Sequence, residues 1–117
     1  MIHNFLIGAS VVTIITMEKL TLVKIGGNII DDENALTDFL TLFQQLPGKK
    51  ILVHGGGKIA TELSKKMGLN PEMVKGRRVT DAEMLKVVTM VYAGLTNKTI
   101  IAKLQGLNCN ALGLTGA

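Results

Sequence analysis

Glycine-rich segments after two short apolar runs are the parts of this chain best suited to chemistry. Gly26 and Gly27 follow residues 20–25, and three consecutive glycines follow residues 51–54. Because glycine has no Cβ, its backbone N–H groups can approach an anion closely, and a helix that begins there adds the positive end of its dipole. Each segment is therefore a candidate phosphate-binding turn. A tight turn without a ligand is the alternative for the first pair, whereas three successive glycines exceed what a turn requires.

Basic residues lie close to these glycines in the sequence. Lys24 precedes Gly26 by two residues in an otherwise apolar run, where an ammonium group is costly unless it reaches a negative ligand or extends into solvent. Arg77 and Arg78 form either a solvated pair or an anion-binding pair. His54, directly before the glycine triplet, is more typical of a packed or hydrogen-bonded residue than of a catalyst.

Three known motifs match the glycine triplet only in part. The sequence GGGKIA satisfies the G-x-G-x-x-A pattern of dinucleotide-binding folds, but no strand that ends in an acidic residue follows about twenty residues later. A P-loop requires Ser or Thr after its lysine, whereas Ile59 follows Lys58. The HGGG sequence is similar to the oxyanion loop of lipase-like hydrolases, but the chain has no G-x-S-x-G nucleophile motif. A dinucleotide-binding segment stays a weaker alternative, and an ester hydrolase lacks its nucleophile.

The elements that must position these residues alternate between strand and helix. A short apolar strand precedes each glycine segment and an amphipathic helix follows it. Asp31 or Asp32 caps the first helix, which runs to about Leu46, and the second runs from Lys58 to Met67. This alternation predicts the α/β class, with right-handed βαβ crossovers and a parallel sheet covered on both faces. Both glycine turns then lie at the carboxyl edge of the sheet, where open α/β sheets bind ligands.

The second half of the chain is predicted to begin with a small hairpin at residues 76–79. Thr80 and Glu83 form an S/T-x-x-E capping box before a long helical pattern that continues towards Leu104. Gly94 weakens this helix and Gly106 closes it. The apolar stripe of residues 84–92 is predicted to be core or a subunit interface, and residues 111–114 have the pattern of another strand.

Length and composition exclude several classes of protein. A chain of 117 residues forms one domain at most, and 47% hydrophobic against 19% charged residues is too apolar for intrinsic disorder. A net charge of +4 without a basic block, and the absence of Trp, argue against a nucleic-acid-binding protein. Cys109 has no second cysteine with which to form an intrachain disulfide, and no Cys/His cluster has zinc-ligand spacing. These features fit a cytoplasmic protein.

Residues 1–16 are predicted to be an upstream extension, and residues 17–117 to form the domain. The apolar run of residues 5–16 is too short to span a bilayer and lacks the positive segment of a signal peptide. Met17 is followed by Glu18, Lys19 and then directly by the first strand, which is typical of an authentic start. We therefore expect neither a membrane segment nor a secretion signal.

Four motifs, in this order and at this spacing, resemble those of one family. They are VKIGG at residues 23–27, VHGGG at 53–57, GRRVT at 76–80 and the pair Asn97-Lys98. On these motifs, residues 20–117 resemble the N-terminal part of the acetylglutamate kinases, within the amino-acid kinase superfamily. The resemblance implies a three-layer α/β/α sandwich with a mainly parallel central sheet. It also implies transfer of the γ-phosphoryl group of ATP to the side-chain carboxylate of N-acetyl-L-glutamate, a step of arginine biosynthesis.

The resemblance assigns roles to individual residues. Lys24 corresponds to the lysine that neutralises charge on the transferring phosphoryl group. Arg78 corresponds to the arginine that holds a substrate carboxylate, with Arg77 as the adjacent candidate. The glycines offer N–H groups to the phosphates or lie over the transferring group and the acylamino acid: Gly26, Gly27, Gly55, Gly56 and Gly57. These roles agree with phosphoryl transfer, which requires positioning and charge stabilisation more than covalent chemistry.

Cofactor, partners and activity are also implied by the resemblance. ATP with Mg²⁺ is the co-substrate, without a metal ligand in this chain, and the full-length protein is a cytoplasmic homodimer that binds neither nucleic acid nor membrane. Family members are about twice as long, and their nucleotide pocket, a second phosphate-binding lysine and an orienting aspartate come from a C-terminal half that this sequence lacks. We therefore expect these 117 residues alone to be inactive and, with uncovered sheet edges, prone to associate. The alternative is a non-catalytic anion-binding or interaction module.

Overall fold

The computed structural model describes residues 2–7, 10–15, 19–56, 58–75 and 77–116, with side chains from residue 19 onwards except that of residue 77. The first two strands, β1 (Ile2–Ile7) and β2 (Ser10–Ile15), pair antiparallel in a sheet of their own. The segment predicted to be an extension is therefore a β-hairpin. The predicted start at Met17 lies outside the described residues.

Two parallel strands, β3 (Leu20–Lys24) and β4 (Lys49–Val53), position the glycine turns. They pair in register along their whole length, so that Lys24 lies beside Val53 at the carboxyl end. The Ile25 N–H donates to the Val53 carbonyl at 2.9 Å and extends the pairing past β3. The predicted parallel arrangement is confirmed, and both strands end at the same edge of the sheet.

Two helices, α1 (Gly27–Ile30) and α2 (Glu33–Gln45), connect these strands. Asp32 is the N-cap of α2, and its Oδ1 accepts hydrogen bonds from the backbone N–H groups of Asn34 and Ala35, both at 2.9 Å. Such a cap satisfies donors that have no acceptor inside the helix. The predicted capped helix is thus confirmed, with Asp32 rather than Asp31 as the cap.

The rest of the chain is a helix, a small hairpin and a continuous helical run. A small hairpin is present as predicted, but its paired strands are residues 73–74 and 77–78 rather than lying within residues 76–79, and the middle of the helical run is π-helical. In chain order the elements are α3 (Ile59–Lys66), β5 (Met73–Val74), β6 (Arg77–Arg78), α4 (Ala82–Val88), the π-helix (Thr89–Thr96) and α5 (Asn97–Gly106). None of the helices in the described ranges is long and apolar enough to cross a membrane.

Helices α1, α2 and α5 cover one face of the parallel sheet, whereas its other face is exposed. Val23 and Leu52 pack against the covered side, and on the opposite face Leu22 is 63% and Ile51 45% exposed. The buried core on the covered side is Ile25, Ile30, Leu36, Leu40, Phe43, Ile100 and Leu104. The α/β class with a parallel sheet is confirmed. Of the three expected layers, the described residues form the sheet and one helical layer.

A second core lies between α3, α4 and the π-helix. Ala60 of α3 is fully buried against Met84, Val87 and Val91, which are at most 4% exposed. Because α3 and α4 pack on each other, they leave the second face of the sheet uncovered. The apolar stripe of residues 84–92 is therefore core, one of the two predicted possibilities.

The N-terminus of α4 differs from the predicted capping box. Asp81, not Thr80, is the N-cap, and its Oδ1 accepts from the Met84 N–H at 2.8 Å. Thr80 instead donates through Oγ1 to the Arg78 carbonyl at 3.4 Å. An N-cap side chain must stand directly before the first helical residue to reach the free N–H groups, and Asp81 occupies that position.

At the C-terminal end, the predicted close of the last helix at Gly106 is confirmed, whereas the strand predicted after it is wrong. Gly106 is the last residue of α5, but the residue in the left-handed region is Asn108, with φ 58°. Residues 111–114 do not form a strand. Instead, side chains of α5 donate hydrogen bonds to the backbone carbonyl groups of this segment. Gln105 Nε2 donates to the Ala111 oxygen at 3.0 Å, and Lys98 Nζ donates to the Gly113 oxygen at 3.2 Å.

Candidate functional site

Asp31, which lies shortly after the first glycine turn, is hydrogen-bonded to the start of α3, the helix that follows the second glycine turn. Asp31 follows α1 directly, and its Oδ1 accepts a hydrogen bond from the Lys58 N–H at 2.8 Å. Lys58 is the N-cap of α3 and offers no side-chain cap of its own, and Asp31 accepts from the free backbone N–H of this N-cap residue. The two turns are thereby connected. No local sequence pattern predicts this contact, because its partners are 27 residues apart.

The first turn presents backbone N–H groups at the end of β3. The Gly26 carbonyl accepts from Ile29 and Ile30, whereas the N–H groups of Gly26 and Gly27 have no acceptor within the described ranges. Since α1 has only four residues, its dipole is small, which corrects the expected contribution of a full helix at this turn. What the turn offers an anion is its pair of free N–H groups.

Lys24 is the last residue of β3 and its side chain is exposed. Strand alternation places it on the uncovered face of the sheet, with Leu22 two residues before it and Val53 beside it. Among the described residues no hydrogen-bond or ion-pair partner holds its ammonium group. This position combines a free positive charge with the edge at which both glycine turns begin.

The side chain of His54 is hydrogen-bonded to the second glycine turn. His54 Nδ1 lies 2.8 Å from the Gly55 carbonyl oxygen, and its Nε2 lies 3.2 Å from Asn97 Nδ2. A carbonyl oxygen and an amide nitrogen determine the roles of the ring, so Nδ1–H donates to Gly55 and Nε2 accepts from Asn97. His54 is thus hydrogen-bonded, as predicted, and Asn97 is a site residue to which the sequence alone assigned no role. Gly57 lies outside the described residues.

Gly56 is buried against an aromatic ring. A Cβ built on Gly56 would overlap Cδ1 and Cε1 of Tyr92, which belongs to the π-helix. A Cβ on Gly55, by contrast, would have no atom of the described residues within 4 Å. Close approach of backbone and ring therefore requires glycine at the second position of the triplet, independently of any ligand.

Replacing Gly56 with alanine is expected to lower the free energy of unfolding by about 1–3 kcal/mol, because the added methyl group forces Tyr92 out of its packed position. Urea denaturation of the 117-residue chain measures this loss. Gly55→Ala is the matched control and should change stability by less than about 1 kcal/mol. Equal losses in both variants would show that the Tyr92 contact is not the reason for glycine at this position.

The guanidinium group of Arg78 is hydrogen-bonded through one of its nitrogens, and its other two nitrogens have no partner among the described residues. Its Nη2 donates to Thr61 Oγ1 of α3 at 2.5 Å, while its Nε and Nη1 are buried and have no hydrogen-bond partner within the described ranges. Buried N–H groups of a cation without acceptors are costly, and oxygens of an anionic ligand such as a carboxylate or phosphate would accept from either nitrogen. Of the two predicted arginines, Arg78 is the one whose placement is described; the side chain of Arg77 lies outside the described part of the chain.

A separate open groove of about 940 Å³ runs along the free edge of β4. Its lining is mostly apolar and includes Ile51, Tyr92 and Ile101, together with His54 and Asn97. It contains none of the predicted site residues Lys24, Gly26, Gly27, Gly55, Gly56 and Arg78. The groove and the candidate anion site are therefore different features.

Comparison with known proteins supports one family. The family model described as "Amino acid kinase family" matches residues 19–117. An acetylglutamate kinase of Cytophaga hutchinsonii is 64% identical over 101 residues, which are 86% of this chain and 38% of that protein. An acetylglutamate kinase of Parabacteroides distasonis is 58% identical over 86% of this chain and 40% of its own length. One from Methanopyrus kandleri is 44% identical over 80% of this chain and 35% of its own length.

A solved structure shares the fold. The crystal structure of N-acetylglutamate synthase from Neisseria gonorrhoeae, complexed with coenzyme A and L-arginine, matches with a TM-score of 0.50 and 24% sequence identity, over 84% of this chain and 23% of that one. The chain spans 35–40% of the length of the curated relatives described above. Since the family model covers the chain from Lys19 to its last residue, this chain belongs to the amino acid kinase family.

Proposed function

We propose that this chain supplies the acylamino-acid-binding part of an acetylglutamate kinase. The enzyme transfers the γ-phosphoryl group of ATP to the side-chain carboxylate of N-acetyl-L-glutamate, a step of arginine biosynthesis. The observation that carries the proposal is Arg78, whose buried Nε and Nη1 groups lack acceptors in the described part of the chain. A substrate carboxylate that accepts from one of these nitrogens would stabilise this guanidinium. The names of the relatives described above support this choice of substrate.

The reaction requires no general base from this chain. One oxygen of the side-chain carboxylate attacks the γ-phosphorus, the bond from that phosphorus to the β–γ bridging oxygen breaks, and ADP leaves with the electron pair. Catalysis consists of positioning and of stabilising charge on the transferring group. Lys24 contributes a positive charge, the N–H groups of Gly26 and Gly27 bind phosphate oxygens, and the glycines of the second turn lie over the transferring group and the acylamino acid.

Mg²⁺ accompanies ATP in phosphoryl transfer and neutralises charge on the phosphates. Within the described ranges, no three His, Cys, Asp or Glu side chains come together as metal ligands. We therefore assign no step to a metal held by this chain. Binding of the nucleotide base and ribose, homodimer formation and a cytoplasmic location belong to the same proposal for the whole enzyme.

The proposal is tested by completing the chain. In the completed enzyme, the 117 residues are joined to the remaining C-terminal part of the Cytophaga hutchinsonii relative. We expect ATP-dependent formation of an acyl phosphate from N-acetyl-L-glutamate, detected by trapping with hydroxylamine, and no product from the 117 residues alone. The complete Cytophaga protein is the positive control. If that control is active and the completed enzyme folds without turnover, the proposal fails and a non-catalytic anion-binding module becomes the better explanation.

A further inference from the structure

Asn97 joins two segments at the carboxyl edge of the sheet. It is the first residue of α5, directly after the π-helix, and is only 6% exposed. Its Nδ2 donates to His54 Nε2 at 3.2 Å and to the Leu114 carbonyl at 3.1 Å. Both N–H groups of the amide are therefore used, which fixes the amide orientation. The ring of His54 in turn has its Nε2 fixed as an acceptor.

The fixed ring determines the orientation of one peptide group in the glycine turn. Because Nε2 accepts, the proton of the neutral ring is on Nδ1, which donates to the Gly55 carbonyl at 2.8 Å. In a trans peptide the carbonyl and the following N–H point in opposite directions. The Gly56 N–H therefore points away from the imidazole, and no described residue accepts a hydrogen bond from it.

The π-helix supports the same peptide from another side. The ring of Tyr92 packs so closely on Gly56 that a Cβ there would overlap it. A π-helical segment has a wider turn than an α-helix, and such segments are frequent at functional sites. Here Tyr92, in the middle of the segment, packs on Gly56, and Asn97, just past its end, hydrogen-bonds to His54 directly before the glycine turn.

We propose that His54 is a positioning residue that directs the Gly56 N–H at the anion bound over the second glycine turn, and that Asn97 fixes the histidine tautomer this requires. The inference rests on the proposed function, because the anion is taken to be the transferring phosphoryl group or the reacting carboxylate. The inference assigns roles to His54 and Asn97, which are not among the predicted site residues Lys24, the glycines of the two turns and Arg78.

The tautomer is measured on the 117-residue chain, independently of activity. ¹⁵N-histidine labelling marks two residues, and His3→Gln identifies the signals of His54. At about pH 8 we expect a protonated Nδ1 and an unprotonated Nε2, which differ widely in ¹⁵N chemical shift. In Asn97→Leu, which removes the donor to Nε2, we expect this preference to be lost. A proton on Nε2 in the wild-type chain would overturn the inference.

Kinetics of the completed enzyme test the consequence for catalysis. His54→Leu removes the donor to the Gly55 carbonyl and should lower kcat about tenfold or more, while KM for N-acetyl-L-glutamate changes by less than about threefold. His54→Asn is the matched control, because its amide nitrogen can stand near the position of Nδ1 and restore most of kcat. A kcat of His54→Leu within about threefold of wild type would overturn the inference, as would equal losses in both variants.

The two proposals fail in different ways. If the completed wild-type enzyme makes no acyl phosphate, the proposed function fails regardless of the histidine tautomer. If the enzyme is active but His54 carries its proton on Nε2, or His54→Leu keeps its kcat, only the positioning role fails. When His54→Leu does not fold, the wild-type ¹⁵N spectrum alone decides the tautomer and therefore the inference.

Discussion

Replacing Lys24 with alanine is expected to lower kcat of the completed enzyme at least about a hundredfold. The reason is that, in the proposed mechanism, the ammonium group of Lys24 neutralises negative charge on the transferring phosphoryl group. Lys24 is exposed at the end of β3, and among the described residues it holds no ion pair or hydrogen bond. Its loss therefore breaks no observed contact, and the melting temperature should stay within a few degrees. Steady-state kinetics with saturating ATP and N-acetyl-L-glutamate measure the effect.

The control for Lys24 is a lysine of similar exposure that lies away from the glycine turns. Lys19 immediately precedes the amino end of β3, at the opposite end of the strand, so Lys19→Ala removes the same charge from the far edge of the sheet. Its kcat should stay within about twofold of wild type, since exposed charges at that distance are largely screened by salt. An unchanged kcat in Lys24→Ala would remove Lys24 from the mechanism, and equal losses in both variants would point to net charge instead.

The fold could be predicted where local patterns determine it. The strand, glycine and helix succession of residues 20–67 contains hydrophobic periods and a cap that are local in sequence, and the parallel pairing of β3 and β4 follows from them. The uncovered sheet face could not be predicted in this way, because it depends on which elements pack together. Here α3 packs on α4, and the periodicity of a helix does not identify its partner.

Errors at element ends have a similar cause. Thr80 and Asp81 are adjacent and both can cap a helix, so a shift of one residue in the start of α4 selects Asp81. Residues 111–114 have a strand-like composition, but a strand also needs a hydrogen-bonded partner, and the described part of the chain provides donors from α5 instead. The composition of a segment limits which secondary structures it can form, and the hydrogen-bond partners available to its backbone determine which of them it adopts.

Site prediction from the sequence was limited by long-range contacts. Glycine clusters and isolated basic residues are visible in any window of the sequence, which is why Lys24, the glycine turns and Arg78 could be selected. Their supports could not, because Asp31, Thr61 and Asn97 act through contacts 17 to 43 residues away. An asparagine within an apolar helical run was the one local signal, since a buried amide requires partners.

Replacing Arg78 with alanine is expected to raise KM for N-acetyl-L-glutamate at least about tenfold and to change kcat and KM for ATP much less. The reason is that, in the proposed function, the lost contact is to a carboxylate that does not react, and a hydrogen bond to a charged group contributes about 1.5–3 kcal/mol. Arg77→Ala removes the same charge one residue earlier and is the matched control, with a smaller rise in KM. A larger rise in Arg77→Ala would assign the carboxylate to Arg77.

Stability separates this role of Arg78 from a structural one. Nε and Nη1 are buried without acceptors among the described residues, so in the substrate-free chain they carry an energetic cost that Arg78→Ala removes together with the hydrogen bond to Thr61. We therefore expect the melting temperature of the substrate-free chain to stay unchanged or to rise, as at other sites where binding residues reduce stability. N-acetyl-L-glutamate should raise the melting temperature of the wild-type completed enzyme but not that of its Arg78→Ala variant. A fall of several degrees in the substrate-free variant, with stabilisation by substrate retained, would show that Arg78 serves the fold rather than the substrate.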